Sequence, residues 1–407
     1  MHIVFIEPRF PANQKNFIKA LAQIGAKISA IGEGSKDSLD DELKRWLTHY
    51  EQVNNVCDEQ SVLHAVKFIQ RHAHVDRLEA TVEAHIMTTA HVRDATGIPG
   101  TTARTAFLCR DKPAMKEVLR AGGIPCADSA AVASGSEARE FVARVGYPVI
   151  LKPRDGAGAS GATRCDSDAE LEQAIRALGL GSGRSVAIEE FVEGHEGFYD
   201  TLTLKSEVVH DFATHYYPNV LDAMRTRWIS PQFVVTNRID TAPAYEEVKA
   251  MGRKVIKLLG IETSATHMEW FSGPKGLKFS EIGCRPPGVR AWDLYNVAND
   301  MDLYREWGML VAAGRPSQRA SRRLATGIIA LRPDRDGRIA GYEGLEAVRN
   351  SFGSHLIDWH MPPEGMPTQP VEAGYMANAW IRMKHENYDQ LRQMLDIVGR
   401  TVRVRAR

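Results

Sequence analysis

The sequence predicts an α/β protein built from several domains, and three observations support this fold class. Its 407 residues exceed what one simple core usually accommodates. Strand and helix patterns alternate through residues 1–100, which is typical of a parallel sheet covered by helices. Two later segments, 149–165 and 267–282, each have the pattern of two strands joined by a glycine-containing loop. We therefore expect an N-terminal parallel α/β domain followed by lobes that contain antiparallel sheets.

Apolar periodicity and turn residues locate the individual elements. In chain order, the first ones are expected at 3–6 (strand), 16–24 (helix), 27–31 (strand), 61–72 (helix) and 79–96 (helix). Asp111, Lys112 and Pro113 predict a further helix start, because aspartate caps helix N-termini and proline is tolerated in the first turn. Beyond residue 320 the sequence indicates strands and one helix, at 387–398.

The composition excludes several classes of protein. The 51 basic and 51 acidic side chains cancel, so nothing favours nucleic acid or an anionic membrane as a partner. The 5 cysteines are scattered without a C-x-x-C pair, which argues against a disulfide framework and a zinc site. The chain starts directly with a strand, so no signal peptide is expected, and no apolar run approaches a membrane span. A cytoplasmic location fits these observations best.

A glycine-rich loop follows an apolar strand that ends at Lys152. Its glycines, among them Gly158 and Gly161, allow the backbone to approach a bulky anion closely. The hydroxyl group of Ser160 and the ammonium group of Lys152 add donors to this loop. The loop therefore predicts a phosphate-binding site, although an ordinary hairpin with a flexible tip has the same pattern.

The same letters also satisfy the dinucleotide fingerprint G-x-G-x-x-G. That fingerprint requires a helix that opens inside the glycine loop. Here a short strand pattern follows Gly161, and a helix start appears only at 166–168. A hairpin that folds over phosphates is therefore favoured over a Rossmann motif, and no Gly-Lys-[Ser/Thr] sequence completes a Walker A loop.

Two glutamates are expected on adjacent strands of the hairpin at 267–282. If Glu269 and Glu281 point to one face, their carboxylates approach closely and need a cation between them. Oxygen ligands next to phosphate suit Mg²⁺. The alternative is that one glutamate faces solvent. Arg285 follows in a proline-rich turn, where its guanidinium group can bind a carboxylate or a phosphoryl group.

The order of these motifs resembles that of the ATP-grasp superfamily, in its carboxylate–amine (or thiol) ligase branch, which includes L-amino-acid ligases and biotin-carboxylase-like members. The resemblance covers about residues 1–330, and the C-terminal segment is similar to that of biotin-carboxylase-type members. It implies four regions, which are a Rossmann-like pre-ATP-grasp domain (1–105), a small lid subdomain (106–190), a large subdomain (191–320) and a C-terminal extension packed on the large subdomain (321–407).

The resemblance also implies roles for single residues. Lys112 and Lys152 hold the ATP phosphates, Glu196 binds the ribose, and Arg285 steadies the acyl phosphate. The adenine-binding hinge is Glu189, Glu190, Phe191 and Val192, and the Mg²⁺ ligands are Glu269 and Glu281, with Mn²⁺ as an alternative metal. Gly283 departs from the family pattern, which usually has asparagine there, so a nucleotide binder without catalysis stays open.

The residues that bind the acceptor substrate are not marked by a clear sequence motif. The resemblance suggests that it lies near 215–230 and 285–292, with His215, Arg225, Arg227, His267, Arg290 and Trp292 as candidates. Arg225 and Arg227 share a face if this segment is a strand, and they can then hold a carboxylate. An exposed face of ion pairs is an equally good interpretation.

The function implied by the resemblance is ATP-dependent ligation of a carboxylate to an amine through an acyl phosphate, with release of ADP and phosphate. The substrates are small molecules, with an amino acid favoured, and a homodimer is expected. The alternatives are a carboxylase- or purine-pathway-type ligase that uses carboxyphosphate and the non-catalytic nucleotide binder. Residues 112–190 are expected to close over ATP, with the loop at 155–161 as the most mobile part.

Overall fold

The computed structural model of the chain describes residues 1–154 and 161–407, and four β-sheets organise these residues. One sheet is parallel and the other three are antiparallel, as the predicted α/β fold class requires. The predicted fold class is therefore confirmed.

The parallel sheet belongs to the N-terminal region, in the strand order β3-β2-β1-β4. Its elements are β1 (His2–Ile6), α1 (Gln14–Gln23), β2 (Lys27–Gly32), α2 (Asp41–Trp46), β3 (His49–Gln52), α3 (Glu59–His72), β4 (Arg77–Glu79), α4 (Ile86–Thr96) and α5 (Ala103–Leu108). All five residues of β1 are buried, as expected for a central parallel strand that helices cover on both faces.

The prediction of a helix at 79–96 is wrong for its first residues. Glu79 ends β4, and α4 begins only at Ile86. The buried carboxylate of Glu79 pairs with Arg77 at 2.9 Å and with Arg93 at 3.1 Å. These ion pairs stabilise Glu79 in the strand, and helical periodicity in the sequence does not reveal them.

The small lobe contains α6 (Lys112–Ala121), β5 (Ser129–Val132), α7 (Gly135–Val145), β6 (Val149–Lys152), β7 (Thr163–Cys165), α8 (Asp168–Leu178) and β8 (Val186–Glu190). Its antiparallel sheet has the order β5-β8-β6-β7. The carboxylate of Asp111 caps α6 by accepting from the backbone N–H of Ala114 at 3.0 Å, as predicted. A strand and then a helix follow the glycine loop, which disfavours the dinucleotide fingerprint.

The large sheet has eight antiparallel strands in the order β13-β12-β9-β10-β11-β14-β17-β16. The remaining elements of the chain are β9 (His195–Leu204), β10 (Glu207–Tyr217), α9 (Val220–Ala223), β11 (Gln232–Val235), α10 (Ala244–Leu258), β12 (Ser264–Gly273), β13 (Gly276–Gly283), α11 (Ala291–Asn299), α12 (Leu303–Ala313), β14 (Ala325–Leu331), β15 (Ile339–Glu343), α13 (Leu345–Phe352), β16 (Leu356–His360), β17 (Ala379–His385), α14 (Tyr388–Thr401) and β18 (Arg403–Ala406). Strands β15 and β18 form a separate pair.

Two features of the C-terminal half differ from the sequence-based expectations. Helix α13 was not expected, and it forms because Val348 joins the apolar core beneath α14. Arg225 and Arg227 lie in turns after α9 rather than on a strand, so alternation does not give them a common face.

The large sheet continues across the predicted domain limit at 320, because β14, β16 and β17 extend it. The limits of the four predicted regions themselves stay predictions.

Buried apolar side chains join the N-terminal region to the large sheet. The ring of Phe17 on α1, for example, packs against Trp292 of α11 at 5.3 Å and Trp307 of α12 at 5.0 Å between centroids. The same core includes Phe198 of β9 and Phe212 of β10. The small lobe has a separate core that includes Phe141 and Leu151. The cavity described next lies where this separate lobe faces the large sheet.

Candidate active site

A cavity lies between the small lobe and the large sheet, and most of the sequence-predicted site residues line it. Helix α6 and strands β6 and β8 contribute to one side, and β9, β12 and β13 contribute to the other. Gly158 and Ser160 lie outside the described residues, whereas Gly161 precedes β7 with a φ of 71°. The predicted residues that line the cavity are Lys112, Lys152, Glu189, Glu190, Phe191, Val192, Glu196, Glu269 and Glu281.

Three lysines contact carboxylates in the wall of this cavity. The Nζ atom of Lys112 lies 3.2 Å from Oε2 of Glu281. The Nζ atoms of Lys116 and Lys152 both lie 2.8 Å from the same oxygen, Oε2 of Glu189. Lys116 was not predicted, although its position one helical turn after Lys112 places it on the same face of α6.

The side chain of Glu189 turns toward these lysines. Burial alone would raise its pKa, but the ammonium groups of Lys116 and Lys152 outweigh burial and lower that pKa to about 2. Burial lowers the pKa of Lys116. Burial alone would also lower the pKa of Lys152, but nearby carboxylates, chiefly Glu189, outweigh burial and raise that pKa. Among the described residues, Oε1 of Glu189 is buried and has no hydrogen-bond partner.

Two backbone N–H groups of the hinge segment, at the end of β8, already form hydrogen bonds within the small lobe. The backbone N–H groups of Glu190 and Phe191 donate to the carbonyl oxygens of Asp128 and Pro148 at 2.9 and 3.0 Å. The guanidinium group of Arg164 stacks on the Phe191 ring at 4.2 Å from its centroid. The backbone N–H groups of these two residues are therefore already occupied by neighbouring chain segments, which leaves the carbonyl groups and the backbone of Val192 for a ligand.

Glu196 is buried on the opposite side of the cavity. Burial, with the nearby carboxylate of Glu269, raises the pKa of Glu196 to about 8. Its Oε2 atom accepts from the backbone N–H of Val220 at 2.6 Å, and its own N–H donates to Oδ1 of Asn219 at 3.0 Å. Asn219 also lines the cavity, and no sequence motif pointed to it.

Glu269 and Glu281 lie directly opposite each other in the register of β12 and β13. This pair supplies oxygen ligands of the kind that Mg²⁺ prefers, with water and phosphate oxygens to complete its coordination. Among the described residues, no group of three or more His, Cys, Asp or Glu side chains can hold a metal ion. The donor set therefore fits Mg²⁺ bound by two carboxylates together with a phosphate ligand, rather than a cage of protein ligands.

Arg285 lies beside this cavity rather than in its wall, and Glu83 of the N-terminal region holds it. The Nε atom of Arg285 donates to Oε2 of Glu83 at 2.7 Å. Arg110 contacts the same carboxylate, with Nη1 at 3.1 Å from Oε1. Sequence reasoning missed Glu83 and Arg110, since only the fold brings positions 83 and 285 together.

A second, smaller cavity adjoins the first and shares Lys112 and Glu281 with it. It is lined by Glu83, Cys109, Arg110, Lys112, Met115, His267, Glu281, Ile282, Gly283 and Arg285. The Nδ1 atom of His267 bonds to Oδ1 of Asp200 at 2.7 Å. Burial would lower the pKa of His267, but the Asp200 carboxylate outweighs burial and raises that pKa to about 9.

The other predicted acceptor residues line neither cavity. His215 is buried, with Nε2 at 2.7 Å from the hydroxyl group of Tyr245, and burial lowers its pKa to about 3. Arg227 and Arg290 form ion pairs with aspartates at 2.6 Å each. Trp292 packs in the apolar core. Of the predicted acceptor residues, the structure brings His267 alone to the wall of a described cavity.

Residues 117–294 match the ATP-grasp domain family. The chain is 26% identical over 259 residues to the uncharacterized protein y4rH of Sinorhizobium fredii, which covers 61% of this chain and 51% of y4rH. It is 27% identical over 249 residues to an L-arginine-specific L-amino acid ligase of Bacillus subtilis, which covers 60% of this chain and 59% of that ligase. The matched segments thus span only about half to three fifths of these relatives.

The fold is similar to that of the crystal structure of L-amino acid ligase from Bacillus licheniformis. The two structures superpose with a TM-score of 0.77 at 15% identity, over 100% of this chain and 98% of that one. No helix in the described part of the chain has the length and apolar character needed to cross a membrane. Residues 117–294 thus match the ATP-grasp domain family, and the chain has the fold of this L-amino acid ligase structure.

Proposed function

We propose that this protein is an ATP-dependent carboxylate–amine ligase that forms an amide or peptide bond through an acyl phosphate. The observation that carries the proposal is a single cavity in which Lys112 and Lys152 lie near the opposed carboxylates of Glu269 and Glu281. Cations for phosphate beside oxygen ligands for Mg²⁺ are the groups that phosphoryl transfer requires. The ATP-grasp match and the similarity to amino-acid ligases support it.

In this proposal, ATP lies in the larger cavity. Lys112, Lys152 and the glycine loop with Gly158, Ser160 and Gly161 bind its phosphates. The hinge residues Glu190 to Val192 contact the adenine through carbonyl groups and the backbone of Val192. The unpartnered Oε1 of Glu189 suits an amino-group donor on the base. The carboxyl group of Glu196 hydrogen-bonds to the ribose hydroxyl groups, since a hydroxyl group can donate to it or accept from it in either protonation state.

The substrate carboxylate is proposed to lie in the smaller cavity. This position is supported by the sharing of Lys112 and Glu281, which puts a bound carboxylate beside the transferable phosphate. Arg285, oriented by Glu83, binds the carboxylate and then the acyl phosphate. Mg²⁺ held by Glu269 and Glu281, or Mn²⁺ in its place, would neutralise charge on the transferred phosphoryl group.

The remaining parts of the proposal concern substrates and assembly. An amino acid is the favoured carboxylate, and a second small molecule supplies the amine, with His267 as the nearest acceptor candidate. A homodimer and a cytoplasmic location remain predictions. A carboxyphosphate-using reaction is the enzymatic alternative. The absence of the family asparagine at Gly283 favours the second candidate, a nucleotide binder without turnover.

An assay of ADP and phosphate release distinguishes the three candidate functions. The wild-type chain would be incubated with MgATP and amino acids, singly and in pairs, and separately with bicarbonate. A ligase should release ADP only with its amino acids, and the amide product should appear by mass spectrometry in equal amount. Release with bicarbonate alone would favour the carboxyphosphate reaction. ATP binding without substrate-dependent ADP release would favour the nucleotide binder, and no ATP binding would refute all three.

A further inference from the structure

A buried lysine that neither the motifs nor the comparisons assign lies behind the proposed phosphate-binding lysine. The side chain of Lys116 is 1% exposed, against 14% for that of Lys152. Both ammonium groups contact the same oxygen, Oε2 of Glu189, at 2.8 Å. Lys116 is therefore the inner cation of this cluster, and Lys152 is the cation nearer to the open cavity.

The charges of this cluster do not balance in pairs. The carboxylate of Glu189 contacts two ammonium groups, so it can keep one of them when a ligand in the cavity draws the other away. A phosphate that draws Lys152 away still leaves Glu189 neutralised by Lys116. If Lys116 were absent, withdrawal of Lys152 would remove the carboxylate's remaining ion pair among the described residues. Leaving a buried carboxylate without a cation is strongly unfavourable, so Glu189 would retain Lys152 and repel phosphate.

We propose that Lys116 is a positioning residue that neutralises Glu189 and thereby releases Lys152 to bind the nucleotide phosphates. Lys116 itself does not contact the nucleotide in this scheme. The inference rests on the proposed function only in that ATP binds in this cavity. It predicts that Lys116 matters for phosphate and not for the base or the sugar, and that it matters only while Glu189 carries a negative charge.

Calorimetric titration of the full chain with ATP and with adenosine tests the inference. Lys116→Met should weaken ATP binding by about tenfold or more, since the phosphate loses a charged contact, while adenosine affinity stays within about threefold. Lys116→Arg keeps the charge and should bind ATP within about threefold of wild type. Lys19→Met, at an exposed site on α1, is the matched control and should bind both ligands as wild type does.

The decisive comparison is made in the Glu189→Gln background. There Lys116→Met should change ATP affinity by less than about threefold, because no buried anion needs neutralising. An equal loss in both backgrounds would overturn the inference, as would unchanged ATP affinity in Lys116→Met or parallel losses for ATP and adenosine. If Lys116→Met alone does not fold, Lys116→Gln, which also removes the charge, takes its place in both backgrounds, and the same outcomes support or overturn the inference. A wild-type chain that does not bind ATP overturns the proposed function and this inference together.

Discussion

Replacing Lys152 by alanine is the most direct perturbation of the proposed phosphate site. The lysine is largely buried, with its side chain 14% exposed, and its visible partner is a carboxylate that also pairs with Lys116 at 2.8 Å. Glu189 therefore keeps a cation in the variant, and we expect the fold to survive. The loss falls on the bound phosphate, where a charged hydrogen bond contributes about 1.5–3 kcal/mol.

This free energy corresponds to ATP binding that is weaker by a factor of about 10 to 150. The assay is calorimetric titration with a non-hydrolysable ATP analogue and Mg²⁺, with thermal unfolding as the check on the fold. Lys19→Ala, at an exposed position on α1, is the matched control. ATP affinity within about threefold of wild type in a folded Lys152→Ala variant would refute the phosphate-binding role.

Three further predictions concern the metal, the departure from the family pattern and stability. Glu269→Gln and Glu281→Gln should each lower ADP release and raise the Mg²⁺ concentration needed for half-maximal rate, with Glu281 the more severe because it also contacts a lysine at 3.2 Å. Full activity of the Glu281 variant at ordinary Mg²⁺ would contradict its role as a ligand. Gly283→Asn should leave the Mg²⁺ requirement unchanged or lower, because an added Cβ meets its nearest atoms at 3.4–3.7 Å and the backbone there is not left-handed. A higher requirement, measured by Mg²⁺ titration of the rate, would speak against this. Burial would raise the pKa of Glu306, but hydrogen bonds led by the His210 ring outweigh it and lower that pKa to about 2. Its stabilisation is therefore complete above the unfolded value near 4.5 and is lost as pH falls toward 2. Glu306→Gln should lower the free energy of unfolding by about 3 kcal/mol at pH 7, and this difference should shrink at pH 3. Urea unfolding at both pH values measures it, and an equal difference at both would contradict the assignment.

Local patterns predicted much of the fold because the decisive interactions are local. The Asp111 cap and the strand at 3–6 depend on neighbours in the sequence. The end of β4 at Glu79 could not be predicted this way, because ion pairs with Arg77 and Arg93 stabilise that carboxylate in the strand. Helix α13 could not be predicted either, because its core contact is also distant in sequence: Val348 is buried only once α14 packs over it.

For the candidate site, too, the sequence predicted some features and the structure was needed for others. The sequence could group Lys112, Lys152, Glu269 and Glu281 because their order along the chain resembles that of the ATP-grasp superfamily. The structure gathers these four side chains around one cavity. The substitutions above test their individual roles.

The packed fold, by contrast, is needed to learn which charges neutralise one another. The pairing of Glu189 with both Lys116 and Lys152 joins three separate segments, and the contact between Glu83 and Arg285 spans 202 positions. Electrostatic energy depends on distance in space and on burial, not on separation along the chain. Motif spacing can therefore identify chemically suitable residues, whereas the pKa shifts and the partners of those residues follow only from the packed fold.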